Sequence, residues 1–329
     1  MEQDLASQIQ KFAGRRILVL GDMVADIYLD GRISRISREA PVLVLQQVGE
    51  RTVPGGAANV VNNIATLGGE VYAVGMIGED KAAKGLVEAL QKHGVHTEGL
   101  FVDRERPTIS KTRIIAGGRA TVSQQIVRVD RESCEPVRPG IEARAVQYIR
   151  GLLPSIDGVV ISDYGSGMVT DALKDELIAY CRAHDIPSIV DSRYAIHRFT
   201  HIGYVKQNDA ELAEAVGRNL PDEEALCAAG RELLQELSAD GVLVTRGELG
   251  MILFEKNGSI TNIPVTDKSE VFDVSGAGDT CVAAVILALA GGTSPADAAR
   301  ISNFASGIAV RKLGTSTVSI DELRNALQK

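Results

Sequence analysis

The chain has 329 residues, of which 45% are hydrophobic and 24% charged, and its formal net charge at pH 7 is −8. This balance is typical of a globular protein with one large core and excludes fibrous and disordered classes. The acidic balance argues against nucleic-acid binding, because such proteins carry basic patches and no basic run stands out here.

The same composition indicates where the protein works. Residues 1–16 are polar and lack the apolar core of a signal peptide, and the longest apolar run, residues 281–290, is about half a membrane span. We therefore predict neither secretion nor membrane insertion. The four cysteines form no C-x-x-C pair, so neither a disulfide framework nor a zinc site is indicated, and a cytoplasmic location is favoured. They are Cys134, Cys181, Cys227 and Cys281.

Short apolar runs alternate with helical patterns along the chain. The runs predict buried parallel strands at residues 17–20, 71–74, 159–161, 188–190 and 242–244. Apolar periodicity predicts helices at residues 57–67, 81–93, 140–152, 170–184, 209–216 and 223–238. This alternation predicts an α/β fold with a doubly wound, mostly parallel sheet flanked by helices, and we expect residues 1–329 to form a single domain.

Two stretches break the alternation, at residues 27–48 and 108–128. Both contain alternating and β-branched residues, with turn glycines at Gly31, Gly117 and Gly118. Neither stretch is long enough to be a stable domain alone. We therefore predict that they form a small β-sheet that serves as a lid on the main fold.

Candidate ligand-binding residues follow the predicted strands. Ligands of such folds gather at the carboxyl ends of the strands. Asp22, Asp163 and Asp191 each follow one strand, and Thr245 with Gly247 follows the last. A single site built from many loops is therefore predicted, although each acid alone could equally be a helix cap or a surface ion pair.

The most informative motif is V-F-D-V-S-G-A-G-D-T at residues 271–280. Its glycines, Gly276 and Gly278, precede an apolar run that predicts a buried helix, so the turn lies at a helix N-terminus. Such a terminus presents unpaired N–H groups to an anion. A carboxylate there, Asp279, would repel a phosphate unless it accepted a proton from an attacking hydroxyl. The alternative is that Asp279 only caps the helix.

Two further motifs open predicted helices. Gly55 and Gly56 would allow a ligand to approach the backbone, and Asn59 offers donors and an acceptor to a polyol; the alternative is a plain tight turn. Asn208 and Glu211 lie three apart, where they could orient a hydrated Mg²⁺ and its phosphates. The alternative for that pair is a capping box, which spacing alone favours.

Together these motifs resemble the ribokinase-like (PfkB) sugar kinases, from about residue 15 to residue 319. The resemblance is carried by Gly21-Asp22, P-G-G-A-A-N at 54–59, Gly75-x-x-Gly78-x-Asp80, Asn208-x-x-Glu211, Thr245-Arg-Gly-x-x-Gly250 and D-V-S-G-A-G-D-T at 273–280. Other segments look most like the heptose 7-phosphate kinases of lipopolysaccharide precursor (ADP-heptose) synthesis. These are S-R-I-S-R-E-A-P-V at 34–42, Q-Q-I-V-R-V-D at 124–130, S-D-Y at 162–164 and K-L-G-T-S-T-V-S at 312–319.

The resemblance implies roles around the nucleotide. Asp279 would be the catalytic base, and the amides of Gly276, Ala277, Gly278 and Asp279 would form the anion hole for the ATP γ-phosphoryl group. Asn208 and Glu211 would arrange Mg²⁺ and phosphates, with Glu211 acting through water. The residues expected near the nucleotide are Thr245, Gly247, Gly250 and Asn303. Asp273 and Ser275 match positions that help to bind K⁺ in some family members.

It also implies a sugar site and a dimer. The residues expected to hold sugar hydroxyls are Asp22, Gly55, Gly56 and Asn59, and Asp163 could complete this pocket. The candidates for the phosphate already on the substrate are Lys111, Arg113 and Arg128. In this family the lid closes over the sugar and often makes a homodimer, so we expect the same here.

The chain departs from the heptose kinases in two places. Those enzymes have a Pro-Lys pair after the acid that ends the fourth strand, whereas Ser192 and Arg193 follow Asp191 here. Arg193 could replace the lysine, or the sugar could differ. The hairpin at residues 116–123 also appears longer. Bifunctional relatives add a nucleotidyltransferase domain with an H-x-G-H motif, which this sequence lacks, so only the kinase step is expected.

The predicted reaction is transfer of the ATP γ-phosphoryl to a sugar hydroxyl, with the anomeric hydroxyl of D-glycero-D-manno-heptose 7-phosphate as the first choice. Alternatives are another PfkB kinase, acting on ribose, fructose, a sugar phosphate or a nucleoside, or a non-catalytic sugar-binding protein. A P-loop kinase is set aside because G-x-x-x-x-G-K-[ST] does not occur. A dehydrogenase is set aside because G-x-G-x-x-G does not follow the first strand.

Overall fold

A computed structural model describes residues 5–117, 123–265 and 271–328. Gly118 and most of the hairpin predicted at residues 116–123 lie outside these described residues. In the described ranges no helix is long and apolar enough to cross a membrane.

Thirteen strands form two sheets in the described part of the chain. In chain order they are β1 (Arg16–Gly21), β2 (Met23–Ile36), β3 (Leu43–Gly56), β4 (Glu70–Gly78), β5 (His96–Asp103), β6 (Ile109–Gly117), β7 (Gln124–Arg131), β8 (Gly158–Asp163), β9 (Ser188–Ser192), β10 (Tyr204–Asn208), β11 (Gly241–Thr245), β12 (Met251–Glu255) and β13 (Ile260–Ile263).

Helices connect and cover these strands. The α-helices are α1 (Leu5–Gln8), α2 (Ala57–Thr66), α3 (Lys81–Gln91), α4 (Pro139–Leu152), α5 (Asp171–Ala183), α6 (Asp209–Ala215), α7 (Glu223–Leu237), α8 (Ala277–Ala290), α9 (Pro295–Ala309) and α10 (Ile320–Leu327). Short 3₁₀ turns lie at Ile9–Phe12, Leu153–Ser155, Ile196–Arg198 and Gly247–Leu249.

The main sheet has the strand order β13-β12-β11-β10-β9-β8-β1-β4-β5. Its strands pair in parallel except at β11–β12 and β12–β13, which are antiparallel. Both faces are covered, which is why its central strands read as continuous apolar runs. On β1, Val19 packs on the side of α2 and α8, whereas Leu18 and Leu20 pack on the side of α4, α5 and α7. The predicted doubly wound fold is confirmed.

The second sheet has the order β3-β2-β6-β7 and confirms the predicted small sheet. Its strands extend beyond the predicted segments 27–48 and 108–128. One residue, Asp22, separates β1 from β2, and β3 continues into α2 without a connecting loop. The small sheet is therefore attached directly to the elements that carry the candidate site.

Several elements were not predicted from the sequence, namely β5, β10, β12, β13, α9 and α10. In β10 the reason is chemical. Two buried polar side chains, Lys206 and Gln207, interrupt the apolar pattern of this central strand. A buried lysine must be compensated locally, and its partners belong to the candidate site.

Candidate active site

The candidate site lies at the first turn of α8. Gly276 precedes this helix with φ 82°, a left-handed conformation that favours glycine. A Cβ atom at Gly276 would lie 2.6 Å from Asn59 Nδ2, and one at Gly278 would lie 2.8 Å from Lys206 Nζ. Among the described residues no side chain caps this N-terminus. The Ala277 N–H donates to the Val274 carbonyl at 3.2 Å. The N–H groups that follow it in the first turn are the ones that could meet an anion.

Asp279 lies in this first turn and is buried, with 6% of its surface exposed. Asn59 Nδ2 donates to one carboxylate oxygen at 2.7 Å, and the Tyr164 hydroxyl donates to the other at 3.0 Å. Burial raises the pKa of Asp279 to about 6, although the hydrogen bonds from Asn59 and Tyr164 partly oppose the rise. Asp279 therefore has the oriented carboxylate and the near-neutral pKa that suit a general base.

A buried ion pair between Lys206 and Asp191 packs against the first turn of α8 at Gly278. Strand register aligns Gly21, Ser162, Asp191 and Lys206 in one row across β1, β8, β9 and β10. Lys206 Nζ lies 2.9 Å from Asp191 Oδ2 and 3.9 Å from Glu211 Oε2. Burial alone would lower the pKa of Lys206, but Asp191 and Glu211 outweigh it and raise that pKa. A permanent positive charge therefore lies under the first turn of α8.

Asp22 organises the loop after β8. Its carboxylate accepts backbone N–H groups from Tyr164, Ser166 and Met168 at 2.9, 3.0 and 3.1 Å. Burial raises the pKa of Asp22, while these hydrogen bonds oppose the rise. Asp163 is similarly engaged, with Gly165 N–H at 3.0 Å and the Ser192 hydroxyl at 2.8 Å.

The second glycine motif packs against the small sheet. A Cβ atom at Gly55 would lie 2.7 Å from the Asp26 carboxylate, and one at Gly56, where φ is 54°, would lie 2.8 Å from the Asp22 carbonyl oxygen. Asn59, in the first turn of α2, is fully buried and contacts Asp279. The motif thus joins the main sheet, the small sheet and the α8 turn.

The predicted phosphate-binding cations share one face of the small sheet. Register pairs Arg113 with Arg128 directly, and Lys111 lies two residues before Arg113. Each cation has an acidic partner: Lys111 lies 3.2 Å from Glu132, Arg113 2.7 Å from Asp26 and Arg128 2.9 Å from Asp130.

Sequence analysis missed a fourth cation on this face of the small sheet, Arg51. Register aligns Arg51, Tyr28, Arg113 and Arg128 across β3, β2, β6 and β7. The guanidinium carbons of Arg51 and Arg113 lie 4.4 and 5.5 Å from the centre of the Tyr28 ring, within cation–π range. Two arginines, Arg51 and Arg113, therefore flank one aromatic ring, and Arg128 lies next to Arg113 on the neighbouring strand.

Asn208 and Glu211 begin α6 with a reciprocal capping box. Asn208 Oδ1 accepts the Glu211 N–H, and Glu211 Oε2 accepts the Asn208 N–H, both at 2.8 Å. The capping alternative is therefore present. It does not exhaust the Glu211 carboxylate, because each oxygen has two lone pairs. Burial raises the pKa of Glu211, and Lys206 opposes that rise.

The predicted nucleotide residues lie farther along the sheet edge. Thr245 ends β11, and its hydroxyl is 3.4 Å from the Gln207 carbonyl. Gly250 has φ 82°, and a Cβ atom there would lie 2.1 Å from the Ile263 carbonyl oxygen. Gly247 also has a positive φ, of 53°. Asn303, buried on α9, donates to the Pro264 carbonyl at 2.7 Å.

Asp273 closes the loop before α8. Its carboxylate accepts N–H groups from Ser275 and Gly314, each at 2.9 Å. These bonds lower the pKa of Asp273 against the effect of burial, which raises it. Asp273 is thereby hydrogen-bonded to the loop that precedes α10.

No group of three or more His, Cys, Asp or Glu side chains in the described ranges is arranged to hold a metal directly. Mg²⁺ at phosphate sites keeps several waters and uses one or two carboxylates. Glu211, with acceptor capacity left over from its capping role, fits such a water-mediated contact.

The structure thus brings Asp279, Asn59, Tyr164, Asp191 and Lys206 to one point. Asp22 and Asp163 lie beside it. Of the three predicted phosphate-binding cations, Arg113 pairs with Asp26, which accepts a hydrogen bond from the Thr315 hydroxyl at 3.3 Å. The roles of Tyr164, Lys206 and Arg51 were missed. The sequence contained a signal for two of them. Lys206 is a charged residue inside a strand just before Asn208, and Tyr164 ends the S-D-Y segment at residues 162–164.

The pfkB family carbohydrate kinase profile matches residues 15–322. The chain is 43% identical over 316 residues to the bifunctional protein HldE of Azorhizobium caulinodans, and 41% identical over 313 residues to that of Geobacter sulfurreducens. These matches cover 95% and 94% of this chain but only 64% and 62% of the relatives. The chain therefore spans slightly less than two thirds of the curated relatives that it matches.

Solved structures agree in fold. Escherichia coli phosphofructokinase-2, solved in complex with potassium, has a TM-score of 0.76 at 21% identity, covering 96% of this chain and 98% of that one. Arabidopsis thaliana ribokinase, solved with ribose and ATP, has a TM-score of 0.73 at 20% identity, covering 96% and 99%. The chain belongs to the pfkB family of carbohydrate kinases and is a phosphotransferase that acts on a hydroxyl group.

Proposed function

We propose that the protein transfers the γ-phosphoryl group of ATP to the anomeric hydroxyl of D-glycero-D-manno-heptose 7-phosphate, giving the 1,7-bisphosphate used in ADP-heptose and lipopolysaccharide core synthesis. The observation that carries the kinase proposal is the buried, doubly hydrogen-bonded Asp279 in the first turn of α8, where the preceding Gly276 makes no side-chain cap hydrogen bond. This turn combines a proton acceptor with an anion site.

In the proposed reaction the sugar hydroxyl gives its proton to Asp279 as its oxygen attacks the γ-phosphorus. The bond from that phosphorus to the β–γ bridging oxygen breaks, and ADP leaves. The amides of residues 276–279 hold the transferred group, and Lys206 adds positive charge beneath Gly278. Positioning and charge stabilisation supply most of the rate in such reactions.

ATP and Mg²⁺ are the proposed cosubstrate and ion. Glu211 would bind Mg²⁺ through water with Asn208 beside it, while Thr245, Gly247, Gly250 and Asn303 would line the nucleotide. Mg²⁺ would neutralise phosphate charge during transfer. Asp273 and Ser275 are the candidates for a K⁺ site. The use of ATP and the four free cysteines fit the cytoplasm.

Two observations support a sugar phosphate as the acceptor. The curated relatives are HldE proteins at about 40% identity. The small sheet also carries Lys111, Arg113 and Arg128 on one face, where they would grip the 7-phosphate, with Asp22, Gly55, Gly56, Asn59 and Asp163 around the sugar.

The test is a panel of sugars and sugar phosphates assayed for ATP consumption, with the products identified by NMR. We expect turnover of heptose 7-phosphate with phosphorylation at C1. Activity only on ribose, fructose or a nucleoside would refute the heptose assignment and leave the kinase assignment intact. Sugar binding without ATP consumption would favour the non-catalytic alternative.

We also propose a single-domain kinase that dimerises through the small sheet. The outer face of that sheet exposes apolar side chains, including Val127 and Val129 on β7, which are 46% and 57% exposed. Ile36 and Val42, near the turn between β2 and β3, are 65% and 55% exposed. An apolar surface of this kind is typical of an interface between subunits.

A further inference from the structure

A tyrosine that the proposed mechanism does not use contacts the candidate base. The Tyr164 hydroxyl lies 3.0 Å from Asp279 Oδ1, while Asn59 occupies the other oxygen. We infer that Tyr164 is a positioning residue, which fixes the orientation of the Asp279 carboxylate and stabilises its ionised form by donating a hydrogen bond to it. This inference rests on the proposed kinase function.

The loop that carries Tyr164 is built to be rigid. Asp22 accepts the Tyr164 N–H at 2.9 Å and holds two further amides of the same loop. Gly167 has φ 90°, and a Cβ atom there would lie 2.0 Å from the Glu135 carbonyl oxygen. Few movements are open to such a loop, so the phenol is held in place before any substrate binds.

In this hydrogen bond Tyr164 is the donor and the Asp279 carboxylate is the acceptor. Burial raises the pKa of Tyr164 well above its ordinary value, with Asp279, Asp191 and Glu211 adding to the effect. Tyr164 therefore stays protonated and can only donate to the carboxylate. A hydrogen bond to the charged form lowers a carboxyl pKa. Without this bond, Asp279 would hold its proton to a higher pH.

Other groups face Asp279 as well and must be kept constant in a test. Asn59 on α2 donates to it, Asp191 on β9 raises its pKa, and Lys206 on β10 lowers it. None of these is altered by removing the Tyr164 hydroxyl. Each carboxylate oxygen keeps a second lone pair, so the substrate hydroxyl can still donate to Asp279.

The experiment compares single-turnover phosphoryl transfer in wild type and Tyr164→Phe between pH 5 and 9. If the pKa of Asp279 rises by about one pH unit, the rate ratio of wild type to variant should be about fivefold larger at pH 6 than at pH 8.5. The matched control is Tyr194→Phe, because Tyr194 is 66% exposed and lies beside the same loop at Gly165. Its profile should follow wild type.

A rate ratio that is constant across pH would overturn the inference, because a merely structural role would slow transfer equally at every pH. Replacing Tyr164 with 3-fluorotyrosine provides a second variant that keeps the shape. Its more acidic hydroxyl donates more strongly, so the profile should move toward lower pH. Movement toward higher pH, or none, would also overturn it.

A third readout does not need turnover. In protein labelled with ¹³C at the aspartate carboxyl groups, the signal absent from Asp279→Asn identifies Asp279. Its titration midpoint should rise in Tyr164→Phe and not in Tyr194→Phe; an unchanged midpoint would overturn the inference. If wild type phosphorylates no sugar but the midpoint moves, the proposed function fails and the contact stands.

Discussion

The substitution Asp279→Asn removes the charge of the candidate base and keeps its shape. The new amide oxygen can accept from Asn59 Nδ2, the donor now 2.7 Å from the carboxylate. The new amide N–H can donate to the Tyr164 hydroxyl, which can turn to accept it because a hydroxyl is both donor and acceptor. We therefore expect the variant to fold with both contacts satisfied.

The magnitude for stability follows from the pKa of Asp279. Burial raises this pKa from 3.8 to about 6, a difference of about two pH units, so the ionised side chain costs the folded state about 3 kcal/mol. Because the folded protein binds this proton more tightly than the unfolded chain does, wild type loses this stability as pH rises from about 4 to about 6. Asp279→Asn should therefore be more stable than wild type at pH 8, by up to about 3 kcal/mol, with the gain disappearing near pH 4.

Activity should change in the opposite direction. Loss of the proton acceptor should reduce kcat by on the order of 10²-fold or more, while ATP and sugar binding persist. The assay is steady-state turnover with calorimetric binding of each ligand, together with urea unfolding of both proteins at pH 4, 6 and 8. A kcat within threefold of wild type would refute the base assignment. A stability difference that does not depend on pH would refute the cost of the buried charge.

Three further predictions concern the small sheet and the ion pair beside Asp279. Arg128→Ala should raise KM for the sugar phosphate and leave KM for ATP unchanged. The reason is that a charge-assisted contact made equally in the ground and transition states contributes only to binding. Unchanged KM values for the sugar phosphate in Arg128→Ala, Lys111→Ala and Arg113→Ala would refute the assignment. Lys206→Met leaves Asp191 buried without its partner and should lower the free energy of unfolding at pH 7 by about 3 kcal/mol, with Asp191→Asn in the same chain recovering most of the loss in urea titrations. Equal losses in the single and double variants would contradict this pairing. Val129→Asp should shift a dimer toward monomer in sedimentation velocity without changing kcat per chain, and an unaltered dimer would exclude this face as the interface.

The fold could be predicted where burial was uniform. Strands such as β1 and β11 are covered on both faces, so their sequences are short apolar runs that stand out from the helical patterns around them. The strand β10 is equally central, but two of its buried side chains, Lys206 and Gln207, are polar. Apolar runs do not reveal a strand in which two of the three buried side chains are polar, and this explains why β10 was not predicted.

The site could be predicted where its chemistry is contiguous in the sequence. The glycines around Asp279 lie next to a helix start, and from this position we predicted an anion site, with a helix cap as the alternative. Tyr164 and Asn59 reach Asp279 across 115 and 220 residues, so only the fold brings them together. Arg51 was missed for the same reason, because its neighbours Tyr28 and Arg113 belong to other strands of the small sheet.

The two chain connections between the sheets would couple any tilt of the small sheet to the candidate site. Asp22 alone separates β1 from β2, and Gly56 passes straight into α2, so neither connection has slack to absorb a rotation of the small sheet. Any tilt of that sheet must twist the backbone at these two points. Asn59 lies in the first turn of α2 and donates a hydrogen bond to the Asp279 carboxylate. Such a tilt would therefore also move the donor that orients this carboxylate. The orientation of the small sheet and that of the Asp279 side chain would therefore be coupled through α2.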